Sequence, residues 1–189
     1  PPLKNSGAIQ IRDLSIEFVR QGHEVVVITP SSEIINPYLL SKMDKVQVLI
    51  LKAPKIKDIG YFRRAIGEYF MPFVMIRHLK SNSLIENNLD GIITYAPSIF
   101  LGPIANMLKK KNNCKNYLIL RDIFPQWAVD VGLLSNYGLP YYFLKRVERY
   151  LYSTADIIGV QTPANLKYFN ENVASREGHT RSIAKLVSC

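Results

Sequence analysis

"LILRDIFPQWAVDVGLL", Leu118–Leu134, begins as an apolar strand and changes character at Arg121 and Asp122, where a Phe-Pro, the only tryptophan and a second aspartate follow. An apolar run that ends abruptly in charge is what a strand buried in a parallel sheet looks like when its carboxyl edge reaches solvent. Working outward from it, the same alternation recurs. "HEVVVITP", "VQVLILKAP", "LDGIITYAP", "NYLILRDIFP" and "IIGVQTP" read as strands. Ala8–Gln21, a long region from Gly60 to Lys80 broken near Pro72, "IFLGPIANMLKKKNN", "PYYFLKRVERYLYSTAD" and "ANLKYFNEN" read as helices. Four of the strands run into Pro30, Pro97, Pro125 or Pro163. Strands alternating with helices predict βαβ units, hence an α/β fold with a Rossmann-like, doubly wound parallel sheet.

Composition sets the outer bounds. With 189 residues, 48% of them hydrophobic and 21% charged, the chain can build a genuine core and has no low-complexity segment. Cys114 and Cys189 supply neither a disulfide framework nor metal-ligand spacing, which favours a reducing cytoplasm. The most apolar stretch, Tyr69–Ile76, is far short of the ~20 residues of a membrane span. A net charge of +9 calls for an anionic partner such as a phosphate-bearing small molecule, acidic lipid or nucleic acid; a merely solvated basic surface is the plain alternative.

The missing signals narrow the chemistry. There is no G-x-G-x-x-G after a strand, which disfavours NAD-dependent epimerase or reductase chemistry, and no G-x-x-x-x-G-K-[ST] for a P-loop. There is no D-x-D and no metal-ligand cluster, and His23, His78 and His179 are scattered. Attention therefore falls on the strand ends. Arg121 can pair with a phosphate oxygen, and Asp122 can act as a general base or orient an acceptor hydroxyl; alternatively the two form a structural pair with Trp127 as packing. Tyr95 and Ser98 can hydrogen-bond sugar hydroxyls, although Ser98 equally suits a helix cap. Gln161 and Thr162 stand at the equivalent place, Thr162 also as a cap before Pro163. Gly7, just ahead of a helix, can let backbone N–H groups approach a phosphate, or serve as an ordinary turn glycine, and His23 closes the turn after Gly22. Finally, "YFRRAIGEYFMPFVMIRHLK" mixes aromatic and basic residues. It reads either as an interfacial helix on acidic lipid or as a core helix with a basic outer face; nucleic acid is disfavoured because no recognised binding module accompanies the charge.

Taken in order, "SGAIQIRDLSIEFVRQGHEVVVITP", "YAPSIFLGPIANMLK", "LILRDIFPQWAVDVGLL" and "YSTADIIGVQTPANLKYF" resemble the N-terminal half of family 4 retaining glycosyltransferases, nearest to bacterial L-fucosamine (N-acetyl-L-fucosamine) transferases of O-antigen and capsule assembly. The resemblance covers about residues 5 to 173. It implies one half of a GT-B fold, an N-terminal acceptor-side domain over 1–173, and an irregular tail over 174–189 produced by truncation or a shifted frame. A first strand before Pro1 and the C-terminal donor domain are then expected to be missing, so that this piece alone is inactive.

The same resemblance implies a nucleotide-sugar donor, an undecaprenyl-linked sugar acceptor, no metal or other cofactor, and a cytoplasmic enzyme peripheral to the acidic inner membrane. Gly7 matches the loop that approaches the donor phosphates. Arg121 and Asp122 match the position where relatives often place His-Asp, with Tyr95, Ser98, Trp127 and Gln161 on the acceptor side. Arginine in place of that histidine leaves the catalytic role of position 121 open. The reading from a different class is a non-catalytic Rossmann-like module that docks on acidic membrane or a partner protein.

Overall fold

The computed structural model describes residues 6–84, 89–96, 98–171 and 183–186, with backbone alone at 61, 62 and 183–186. The chain falls into two compact units, Pro1–Ile85 and Glu86–Cys189. The expected α/β architecture is present, and it is carried by two separate sheets.

In the first unit, helix α1 (Ser6–Arg20) leads into strand β1 (Val26–Ser31). The helix ends in a Schellman motif: Gly22 takes φ +90°, its N–H reaches the Val19 carbonyl at 3.1 Å, and the His23 N–H reaches that of Phe18 at 3.0 Å. The Phe18 and His23 rings meet edge-on at 5.5 Å, so His23 closes the turn, as the sequence suggested. Strand β2 (Tyr38–Met43) forms an antiparallel hairpin with β3 (Val46–Lys52), which also pairs in parallel with β1.

The sequence reading missed β2, and the all-parallel sheet it predicted is corrected here to a mixed one of order β1-β3-β2. Asp44 and Lys45 make the turn with φ of 50° and 67°, the mirror-image geometry that suits strand twist but usually advertises itself with glycine. Strand β1 lies at the edge of this sheet and is only half-buried, whereas β3 carries the buried Leu49, Ile50 and Leu51.

Helix α2 (Tyr61–Ser81) runs unbroken through Pro72, against the expectation of a break. Proline in a helix interior costs about 3 kcal/mol, and here Pro72 is buried beside Met71, Met75 and Leu79, so packing offsets that loss. Gly67 permits close approach: a Cβ there would lie 3.0 Å from the Lys55 carbonyl oxygen.

The second unit is where the parallel sheet expected from the sequence appears. Strands β4 (Gly91–Ala96), β5 (Lys115–Leu120) and β6 (Ile157–Val160) pair in parallel in that order, with β7 (Ile183–Leu186) beside β6. Helix α3 (Gly102–Asn112), entered through a 3-10 turn at Ile99–Leu101, connects β4 to β5. Helices α4 (Gln126–Asp130) and α5 (Leu139–Thr154) connect β5 to β6, and α6 (Pro163–Phe169) follows β6. Ile99, Phe100, Leu118, Leu120, Leu151 and Ile158 form the centre of one hydrophobic core. Of the tail read as irregular over 174–189, only β7 lies within the described residues; Pro97 and residues 1–5 lie outside them.

Among the described residues no buried side-chain nitrogen or oxygen lacks a hydrogen-bond partner. Asp156, between α5 and β6, accepts from Lys109 of α3 at 2.7 Å, from the Asn116 backbone N–H at 2.9 Å and from Lys115 at 3.3 Å. Burial alone would raise the Asp156 carboxyl, but these donors, Lys109 foremost, outweigh it and hold the group below its ordinary value. Buried Glu148 pairs with Lys145 and accepts from the Tyr152 hydroxyl at 3.1 Å, so it is fixed within α5.

Candidate functional site

The carboxyl edge of the parallel sheet gathers most of the residues singled out from the sequence. In β5, Leu118 and Leu120 are buried in the core, and the chain then emerges with Arg121 half-exposed and Asp122 exposed. Pairing of Ala96 with Leu120, and of Leu120 with Val160, sets the three strand ends level. Tyr95, Arg121 and Gln161 therefore lie on one edge.

Register produces one specific contact. Arg121 donates from Nη1 to the Tyr95 hydroxyl oxygen at 3.3 Å, while its Nε stands 3.9 Å from the Asp122 carboxylate, at the outer limit of ion pairing. The Tyr95 hydrogen bond, followed by its electrostatic effect and the charge on Asp122, raises the guanidinium above its ordinary value. A cation is thus braced from β4, with a solvent-facing carboxylate as its chain neighbour. Such a pair can bind an anionic oxygen at one point and accept a hydroxyl proton at the next.

Beyond Asp122 the chain passes a cis Phe124–Pro125 peptide and enters α4. Trp127 is 53% exposed there, so its indole is presented to solvent more than packed into the core. Asp130 accepts from Gln126 at 2.8 Å, which commits the second aspartate of this stretch to its own helix. Ser98 sits at the N-cap of the 3-10 turn without a capping side-chain bond, and Thr162 does cap α6, accepting from the Asn165 N–H at 3.1 Å. Gly7 belongs to the other unit. It lies buried inside the first turn of α1 and not, as the sequence suggested, ahead of the helix.

Two features escaped the sequence reading. The Tyr95–Arg121 bond depends on strand register, which no local signal encodes. The connection from α4 into α5 also exposes large apolar side chains, Val131, Leu133, Tyr137, Leu139 and Tyr142, and Leu139 reaches 86% exposure. The sequence pattern assigns only the last three residues of that run, "VGLLSNYGLPYY", to an element, the helix read from Pro140 onward. Among the described residues no group of three or more His, Cys, Asp or Glu side chains could hold a metal ion, and no helix is long and apolar enough to cross a membrane.

No protein-family model matches the chain, and no curated protein matches it either.

Proposed function

We propose that the chain is the acceptor-side part of a retaining glycosyltransferase of GT-B type, its second unit belonging to a Rossmann-like, doubly wound layer. The reaction moves an amino-deoxy sugar, N-acetyl-L-fucosamine by the sequence resemblance, from a nucleotide diphosphate to a lipid-linked acceptor on the cytoplasmic face of the membrane. The observation that carries the reading is the Tyr95-braced Arg121 beside an exposed Asp122 at the carboxyl edge of a parallel sheet. Ligands of open α/β sheets bind at that edge.

In this reading Asp122 orients the acceptor hydroxyl and takes its proton as the new bond to the anomeric carbon forms and the bond to the donor phosphate breaks. Arg121 holds an anionic oxygen of the lipid-linked acceptor. Trp127 offers an indole face to the acceptor sugar, with Ser98 and Gln161 as hydrogen-bonding groups. The first turn of α1 around Gly7, with N–H groups at the positive end of a helix dipole, supports donor phosphate binding. No metal and no cofactor enter the reaction.

The test is Asp122→Ala in the complete reading frame that contains this chain, assayed with nucleotide sugar and lipid-linked acceptor. Turnover is expected to fall by at least ~100-fold while the circular dichroism spectrum is unchanged. A folded variant of near-normal rate would remove Asp122 from the reaction.

A further inference from the structure

The hairpin of the first unit leaves a backbone edge open. Among the described residues β2 pairs with β3 and with no other strand, and Leu39, Leu40, Ser41, Lys42 and Met43 are all exposed, Leu40 by 59%. One hydrogen bond fixes which backbone groups that edge presents. The Lys52 N–H donates to the Pro37 carbonyl at 2.9 Å, so Pro37 faces β3. Facing alternates along an antiparallel ladder, and Leu39, Ser41 and Met43 therefore face β3 as well. The other side of β3 agrees: Gln47 and Ala53 donate to the carbonyls of Val25 and Ser31, which leaves Val48 and Ile50 turned to β2. The N–H and C=O groups of Tyr38, Leu40 and Lys42 thus point away from the sheet.

Edge strands are ordinarily blunted by proline, charge or a bulge. The opposite edge of this sheet has such a device. Because Val25 and Ser31 face β3, Pro30 of β1 faces outward, and it has no N–H to offer. The outward set of β2 contains no proline, and its single charge, Lys42, stands at one end. Leu39, Leu40 and Met43 add apolar surface beside the open donors and acceptors.

We propose that β2 pairs antiparallel with β2 of a second copy of the chain, about a two-fold axis at Leu40. In that register Leu40 exchanges two hydrogen bonds with its own counterpart, and on each side of the axis Tyr38 exchanges two with Lys42 of the second copy. Among antiparallel registers this one alone pairs all three outward residues of both strands. The side chains agree with it. Leu40 meets Leu40, each Lys42 ammonium is brought to a Tyr38 ring, and within the paired strands no like charges stand opposite. This match of the edge to itself favours a second copy over a strand of another protein. The contact spans six residues a side, against the ~20–30 of a standard interface, so the dimer is weak and depends on concentration. It uses only the backbone edge of the first unit and does not rest on the transferase reading.

The experiment is sedimentation equilibrium of the whole chain between about 10 μM and about 1 mM, the range in which so small an interface should associate. The chain is expected to pass from monomer towards dimer, and further so with added salt, which screens the repulsion between two copies of net charge +9. Leu40→Lys sets two ammonium groups face to face at the axis and should weaken association by about tenfold or more. Position 40 is exposed, so its circular dichroism should be unchanged. Register is read by cross-linking in a chain carrying Cys189→Ser. Leu40→Cys should form an intermolecular disulfide on mild oxidation, since its Cα atoms would pair at about 5.5 Å. Lys42→Cys should not, because the two copies of position 42 would stand about 13 Å apart along the ribbon.

A chain that stays monomeric at about 1 mM overturns the proposal and leaves the edge to a strand of another protein. Association that Leu40→Lys leaves unchanged overturns it as well, since the contact then lies elsewhere. So does a disulfide that forms at position 42 and not at 40, or growth beyond the dimer, which a closed two-fold pairing forbids.

Discussion

Arg121 is useful because it is held. A free arginine carries rotamer entropy that binding must remove, and the Tyr95 hydroxyl at 3.3 Å has already removed part of it. Tyr95→Phe deletes that oxygen while keeping the ring, so it isolates the brace from the packing. If the chain is the transferase proposed above, the expected result is about a five- to tenfold weaker apparent affinity for the lipid-linked acceptor, corresponding to about 1 kcal/mol for one hydrogen bond, with turnover at saturation nearly unchanged. Steady-state kinetics of the complete enzyme would separate the two; a fall in turnover without a change in KM would show that Tyr95 acts on the chemical step. Arg121 and Asp122 were legible in the sequence because a charged pair directly after Leu118–Leu120 has nowhere to go but a sheet edge. Tyr95 was legible as a strand-end residue, and its partner was not, because the pairing of Tyr95 with Ile119 belongs to the assembled sheet.

At the scale of elements, Asp156 ties three segments together: α3 through Lys109, β5 through Lys115 and the Asn116 N–H, and β6 through its own position ahead of Ile157. Because its folded-state carboxyl lies below the ordinary range, its contribution is complete above that range and fades as pH falls through it. Asp156→Asn should therefore lower stability by about 2 kcal/mol at neutral pH. The difference from the parent chain should shrink as pH falls from roughly 4, where the unfolded chain begins to take up the proton, and vanish once pH has passed the lowered folded-state value, where the folded carboxylate is protonated as well. Urea denaturation of both chains across that window measures it, and a difference that does not vary with pH would mean that shape, not charge, is what Asp156 supplies. The same scale explains what sequence reading found and missed. Strands such as Val26–Ser31 and helices such as Leu139–Thr154 carry strong apolar patterns. The β2–β3 hairpin does not, because Leu39 and Leu40 are adjacent and both exposed, which breaks the period-two alternation, and its Asp44-Lys45 turn lacks glycine.

For the whole molecule, the βαβ reading found the parallel strands and helices but placed them in one sheet. Two sheets are observed: among the described residues β1 pairs with β3 alone and β4 with β5 alone, and nothing local to either strand specifies what lies beside its other edge. Charge, by contrast, is a property the sequence gives completely, and it is spread evenly. The first unit holds 12 basic and 7 acidic residues, the second 12 and 8, so each carries a positive excess of its own. Exposed pairs such as Arg12–Asp13 and Arg20–Glu17 contribute little, even though Arg20 and Gln21 hold the Glu17 carboxyl down to about 2. The balance at neutral pH is therefore self-repulsion, which weakens the compact state and which salt screens. Raising sodium chloride from about 20 to about 200 mM, which shortens the screening length from roughly 20 to under 10 Å, should raise the thermal midpoint by about 2–4 °C, equivalent to about 1 kcal/mol. A midpoint that falls with salt in scanning fluorimetry would mean that the ion pairs outweigh the excess. The rise should disappear near the isoelectric point of about 9.5, where the excess is gone and only the pairs remain to be screened.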